Sequence, residues 1–278
     1  MSARRVLRRT PGAVIVIALV VIAGFPVYWM FTTATHTAGQ IFGNNAPVLP
    51  DLGRTGAVVT SATHGIPMLR WLSNSAFVAT GTTVLSLLLA TLAAYALSRY
   101  KFHGKGVFGF ALFATQMLPE ALLVVPLYSM FLTVGMLNNL WSLVLSNVAF
   151  SMPVAVWVIK SAIDGIPQEI EESARVDGCP RYAILPQVVL PLIVPSIAAA
   201  AVMSFFDGWN EYLFANTFIT DQQLWPASKG IASFVGQYIT PLNVVMSAAL
   251  VFAVPAIVFF LVVQRRIVSG LTAGSVKG

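Results

Sequence analysis

Five ionisable residues, Glu171, Glu172, Arg175, Asp177 and Arg181, fall within eleven positions of a chain in which only 9% of the 278 residues are charged. They directly precede an apolar run. Adjacent carboxylates such as Glu171 and Glu172 point in different directions on a helix, so they do not form an acid–base pair. Charges beside small residues such as Ser173 and Ala174 suit another task, fixing the register of a protein partner. A solvated amphipathic loop helix is the plainer alternative. Glu120 lies inside another apolar run, next to Pro119. A carboxylate in a membrane is costly and is a functional candidate by default. It suits proton relay, solute binding, or bonding to backbone N–H groups near the proline. A lone acid without an embedded basic partner makes a poor relay, which favours a pathway-lining or structural role.

A second polar group, Asp207, Trp209, Asn210 and Glu211, follows the apolar run that the first group precedes. An amide, two carboxylates and a ring can make a polar, aromatic gate. Trp209 and Tyr212 equally suit the aromatic belt of a membrane interface. Asn147 and Ser151 face a polar pathway or tie helices together. His36, His64 and His103 are far apart, read as solvated, and show no metal-ligand spacing. The single cysteine, Cys179, excludes an intrachain disulfide framework. No nucleophile elbow or catalytic carboxylate pair is present. The expectation is no catalytic residue, no metal site and no enzyme activity.

The elements that must position these residues are membrane helices. The chain is 57% hydrophobic with a mean hydropathy of +0.81, against about 25% charged residues in an ordinary soluble domain. Six runs are long enough to span a bilayer as helices: about 11–33, 74–98, 107–128, 140–159, 187–206 and 242–264. The expected fold is an all-α integral membrane protein with six transmembrane helices in one domain, residues 1–278. Thirteen of the sixteen Lys and Arg residues fall on one side of such a topology. That places both termini in the cytoplasm by the positive-inside rule. The net charge of +6 is thereby an orientation signal towards membrane lipid, with no nucleic-acid partner expected. Arg4, Arg5, Arg8 and Arg9 head an apolar stretch that is long for a signal peptide, and the reading is an uncleaved anchor. Two sizeable outer loops, about 34–73 and 212–241, read as surface-lying. Prolines within the spans, among them Pro119, Pro126, Pro153, Pro191, Pro195 and Pro255, predict bends.

The longest inner connection, about 160–186, holds the charged group. Pro167 suits a first helical position, acids follow in the early turns, and Gly178 suits a left-handed cap. Pro180 can open the next segment. A short helix from about Pro167 to Asp177 is predicted, with Ile166, Ile170, Ala174 and Val176 along its apolar side.

This stretch resembles the cytoplasmic signature of ATP-binding-cassette importer permeases: Glu-Ala-Ala, three residues, Gly, nine residues, then Ile-x-Leu-Pro. The chain has Glu172-Ser173-Ala174, Gly178 and Val188-Val189-Leu190-Pro191, departing at Ser173 and Val188. QMLPEALLVVPLY, GWNEYLF and the tail QRRIVSGLTAGSVKG resemble the carbohydrate-uptake, maltose-type branch, and the tail resembles its second permease subunit. The resemblance is close over about 95–278; the earlier residues match mainly by layout.

The resemblance implies a type I importer transmembrane domain in a bacterial-type cell membrane. It implies a heterodimer with a second permease, two ATPase subunits and an extracytoplasmic solute-binding protein. The implied cargo is a carbohydrate or sugar derivative. Glu171, Glu172, Ser173, Ala174, Asp177, Gly178, Leu190 and Pro191 would couple the chain to an ATPase through the loop 167–191. Glu120, Asn147, Ser151, Asp207, Trp209, Asn210 and Glu211 are the candidate solute pathway. No Gly-x-x-x-x-Gly-Lys-Ser/Thr loop is present, so ATP and magnesium are expected on the partner ATPase and no cofactor on this chain. Two alternatives stay open: a proton-coupled carrier using Glu120, and a non-transporting membrane scaffold.

Overall fold

The computed structural model describes residues 3–43, 47–235 and 241–273. Its regular elements are helical throughout, with no strand among the described residues. By internal contacts the chain divides into two units. One holds the residues up to Met68 together with Ile231–Val254; the other holds Leu69–Gly230 together with the chain from Pro255.

The first unit opens with α1 (Ala3–Thr35), whose segment Val14–Thr35 is long and apolar enough to cross a membrane. Its end is held by local bonds. His36 is buried and its Nδ1 donates to the Thr32 carbonyl at 2.7 Å, so the expectation of a solvated histidine is corrected. The following loop carries regular structure. It contains α2 (Ala38–Ile41), a 3-10 turn at Leu52–Arg54 and α3 (Thr55–Thr63). Tyr28 donates to the Val48 carbonyl at 2.6 Å and the Asp51 N–H to Thr35 Oγ1 at 3.1 Å, folding the loop back on α1.

Most of the long helices lie in the second unit. α4 (Met68–Arg99) begins at the unit boundary and carries a stripe of small buried residues, Ala79, Thr82, Ser86, Ala90 and Ala94. α5 (Lys105–Thr115) and α6 (Glu120–Thr133) follow. α7 (Leu140–Asp164) continues through Pro153. α8 (Gln168–Val176), α9 (Arg181–Ile184), a π-turn at Leu185–Val189 and α10 (Leu190–Leu192) lead into α11 (Val194–Trp209). α12 (Leu213–Phe218) and α13 (Ala227–Ala232) precede α14 (Leu242–Ala273), within which the unit boundary falls. The last five residues of the expected tail motif, Lys277 among them, lie outside the described residues.

Two of the expected spans are not single helices. The third breaks between α5 and α6 with a bend of 102°. Proline disfavours helical geometry in the residue before it, and Pro119 itself adopts an extended ψ of 127° ahead of α6. The fifth bends by 82° at Ile193. Pro191 and Pro195 lack the N–H groups that would carry the helix across this point, and the π-turn absorbs part of the mismatch. Among the described residues, four helices are therefore long and apolar enough to span alone, and up to six spans result if each bent pair counts as one.

The core of this unit lies in two clusters. Leu97, Ile159, Ile163, Ile184, Val189 and Ile193 bury the base of the α8–α9 turn against α4 and α7. Val78, Phe131, Leu143, Phe214 and Phe218 seat α12 against α6 and α7. α7 and α11 are closely packed. Small residues let α4 approach α11 as well: a Cβ built on Gly208 would lie 2.8 Å from the Ala79 Cα.

Candidate functional site

The charged stretch folds as expected, into a short helix with defined ends. Pro167 precedes the first turn of α8 as its cap residue, one position earlier than the predicted first helical position. At the other end Gly178 adopts φ +87°, open to left-handed backbone because it has no Cβ. The Cys179 N–H bonds the Ala174 carbonyl at 2.9 Å and the Gly178 N–H bonds the Arg175 carbonyl at 3.1 Å. This double closure is the Schellman motif, and it satisfies two carbonyls that a helix end otherwise orphans. Pro180 then caps α9.

The side chains of α8 divide sharply. Glu172, Ser173, Asp177 and Gly178 are exposed and Ala174 is half-buried. Ile170 and Val176 are also exposed, Val176 to 88%, as is Tyr182 just beyond. An outward surface of small and apolar residues edged by charge is therefore present. Glu171 does not belong to it. It is 2% exposed and turned inwards, where its Oε1 meets Arg99 Nε at 2.5 Å and its Oε2 accepts from Tyr95 Oη at 3.0 Å. Its grouping with outward docking residues is accordingly revised: α8 presents only its other acids to solvent. Leu190 and Pro191 sit apart from α8. Leu190 packs on the core cluster that holds Ile159 and Val189, and Pro191 lines a cavity of about 840 Å³ with Ser161, Gly165, Ser196 and Arg266.

Arg99 is the last residue of α4. Its guanidinium also donates to the Ile166 carbonyl at 2.9 Å and to Ser98 Oγ at 3.2 Å. Ser98 Oγ in turn donates to Asp164 Oδ1 at 2.6 Å, and Lys160 pairs with Asp164 Oδ2 at 2.5 Å. The ends of α4 and α7 are thus bonded to each other and to α8. The usable sequence signal was the position of Arg99 and Asp164 at the ends of apolar runs, where an unpaired charge is costly.

A second site gathers acids that are distant in sequence. A cavity of about 610 Å³ is lined by Gln116, Glu120, Asn147, Asp207, Asn210 and Glu211, together with Phe150, Phe206 and Tyr212. Glu120 is the first residue of α6, at the break in the third span, and is exposed; it does not lie within a continuous helix as expected. Asn147 is 7% exposed and its amide donates to the Leu143 carbonyl at 2.8 Å. Asp207 and Asn210 reach the cavity from the end of α11.

Two expected pathway residues are not in the lining. Ser151 is buried and hydrogen-bonded to Ser86 at 2.7 Å, tying α7 to α4. Trp209 is 1% exposed and stacks on Phe205 with ring centres 5.6 Å apart, which also removes it from an interfacial belt.

Glu211 does more than border the cavity. Its carboxylate accepts the N–H groups of Phe214 at 2.6 Å and Ala215 at 3.0 Å, capping α12. Lys229 closes the other end: its Nζ donates to the carbonyls of Ala215 at 3.2 Å and Ile219 at 2.5 Å and lies 5.0 Å above the Trp225 ring. Burial pulls the Lys229 amine below its ordinary pKa, and the Glu211 charge opposes that fall. In the sequence Lys229 is one of the three Lys and Arg residues left on the other side of the expected topology. The loop around it is fastened to α4, whose Arg70, Trp71 and Asn74 donate to the carbonyls of Gln222, Gln223 and Trp225.

The comparisons with known proteins agree with this architecture. Residues 85–272 match the family described as binding-protein-dependent transport system inner membrane component. The chain is 33% identical over 254 residues to the diacetylchitobiose uptake system permease protein DasC of Streptomyces coelicolor, covering 91% of this chain and 92% of that one. It is 30% identical over 277 residues to the trehalose/maltose transport system permease protein MalG of Thermococcus litoralis, covering 98% of both. It shares the fold of a chain from the crystal structure of a bacterial transporter importing the acidic polysaccharide alginate, with a TM-score of 0.78 at 20% identity over 95% of this chain and 98% of that one. The chain therefore belongs to the binding-protein-dependent transport system inner membrane components, the multi-pass permeases of ABC transporters.

Proposed function

We propose that this chain is one permease subunit of an ATP-driven importer that moves a carbohydrate or sugar derivative into the cell. The observation that carries the proposal is α8. It is a capped helix with exposed Ile170, Glu172 and Val176. Such a surface suits insertion into a cleft of an ATPase subunit, with apolar residues entering and charges fixing register. The carbohydrate class is supported by the names of the relatives and by the cavity, whose amides, carboxylates and tyrosine suit sugar hydroxyls. ATP and magnesium belong on the ATPase in this reading.

In the full reading, six spans place both termini and α8 in the cytoplasm. The chain pairs with a second, different permease and two ATPase subunits. A solute-binding protein delivers cargo to the opposite side. ATP binding closes the ATPase pair, and the two arrangements of the spans differ in their affinity for that closed pair. Cysteines placed on the exposed side of α8, in a Cys179→Ser background, test this by crosslinking to the co-expressed ATPase. A crosslink whose yield depends on ATP is the expected result. Its absence from a folded, assembled sample overturns the docking assignment and leaves the Glu120-dependent carrier as the reading to pursue.

A further inference from the structure

We infer that the Arg99–Glu171 pair is a strut through which α8 moves α7, and through α7 the lining of the acid-bordered cavity. The inference rests on the docking reading of α8 and adds the route from the dock to the solute. Glu171 supplies the hydrogen bonds from an α8 side chain to another element, to Tyr95 and Arg99 on α4. The only covalent exits from α8 are turns, one through Pro167 and one through the left-handed Gly178. The buried ion pair, with further hydrogen bonds to Tyr95 and the Ile166 carbonyl, ties the body of α8 directly to α4.

The pair is enclosed, with 9% of the Arg99 side chain and 2% of the Glu171 side chain exposed. Breaking one member leaves the other charge buried and unpaired, so the contact holds as a unit. From Arg99 the bonds run through Ser98 to Asp164, the last residue of α7. α7 is continuous from Asp164 back to Asn147, a distance of about 26 Å along a helix rising 1.5 Å per residue. Asn147 lines the cavity. α7 also packs along α11, which carries Asp207 to the same cavity. A displacement of α8 is therefore delivered to the ends of α4 and α7 and reappears at the solute lining. Glu171 and Arg99 are positioning residues in this scheme.

The test uses the complex assembled with its cognate ATPase, in a Cys179→Ser background. Val176→Cys reports docking by crosslinking to the ATPase. Asn147→Cys reports the cavity by its rate of maleimide labelling, with and without ATP and vanadate. With the strut intact, nucleotide changes the labelling rate at position 147. Glu171→Gln is expected to keep the crosslink while shrinking that change about fivefold or more, the lower end of ordinary coupling between sites. Tyr95→Phe, which leaves the ion pair, is expected to preserve it. If Glu171→Gln does not assemble, Arg99→Lys decides, because it keeps the charge and loses the forked contacts to Ile166 and Ser98. A diminished response with docking intact supports the strut; a full response refutes it. Loss of the crosslink together with the response makes Glu171 a docking residue and overturns the inference. No crosslink in the unsubstituted pair overturns the docking reading itself, a different result.

Discussion

Gly208 offers a sharp test of how closely α4 and α11 pack. A methyl group at this position would lie 2.8 Å from the Ala79 Cα, 3.1 Å from Thr82 Oγ1 and 3.2 Å from Thr82 Cβ. Carbon atoms ordinarily rest about 3.5–4.0 Å apart. Neither neighbour yields readily, since one is backbone and the other is β-branched and stiff at χ1. The helices must therefore part by about 1 Å, an overpacking that costs about 1–3 kcal/mol. Alanine also gains about 1 kcal/mol over glycine in a helix interior. That gain is shared by Gly24→Ala in α1, where a Cβ meets nothing within 4 Å. The difference between the two variants thus isolates the packing cost. At about 2–4 °C per kcal/mol for a chain of this size, Gly208→Ala should melt about 2–12 °C below Gly24→Ala in the same detergent. Equal melting temperatures would refute the close approach, and with it the placement of Asp207 and Asn210 in the cavity.

Other expectations follow from the same geometry. Gly178→Ala meets no atom within 4 Å but carries a Cβ at φ +87°, a strain of about 1–2 kcal/mol. It should leave the subunit folded by circular dichroism while lowering the yield of ATPase crosslinks from α8. Lys229→Met strips a donor from the Ala215 and Ile219 carbonyls and should cost about 1–3 kcal/mol, read as a drop in melting temperature. Glu120→Gln should leave uptake running with an unchanged pH profile, because Glu120 is an exposed lining residue at a helix start; abolished uptake would favour a proton carrier.

The parts of this molecule that were legible in its sequence are those decided locally. α8 announces itself through Pro167, its early acids and Gly178, all within one helix and its caps. Long apolar runs became the long helices for the same reason. What was not legible depends on distant partners. Glu171 looks like its neighbour Glu172 until Arg99, 72 positions earlier, turns one of them inwards. The prolines predicted bends, but a bend and a break of 102° differ only in whether neighbouring segments satisfy the freed backbone. Counting Lys229 by membrane side concealed its burial. Ser151 and Trp209 have the residue types of a pathway and the surroundings of a core.

The two ends of α12 carry a further consequence. Its six residues form a helix of about 9 Å, far below the length that is stable alone in water. Glu211 sits at its positive end and Lys229 at its negative end, so two buried charges that never touch each neutralise half of one peptide dipole. Their fates are joined in inheritance. Losing the acid strands the amine at a carbonyl cluster with less opposing charge, and losing the amine does the reverse. A damaging change at 211 should therefore be rescued by second-site changes at 229 more readily than by changes among the nearer residues of the cavity.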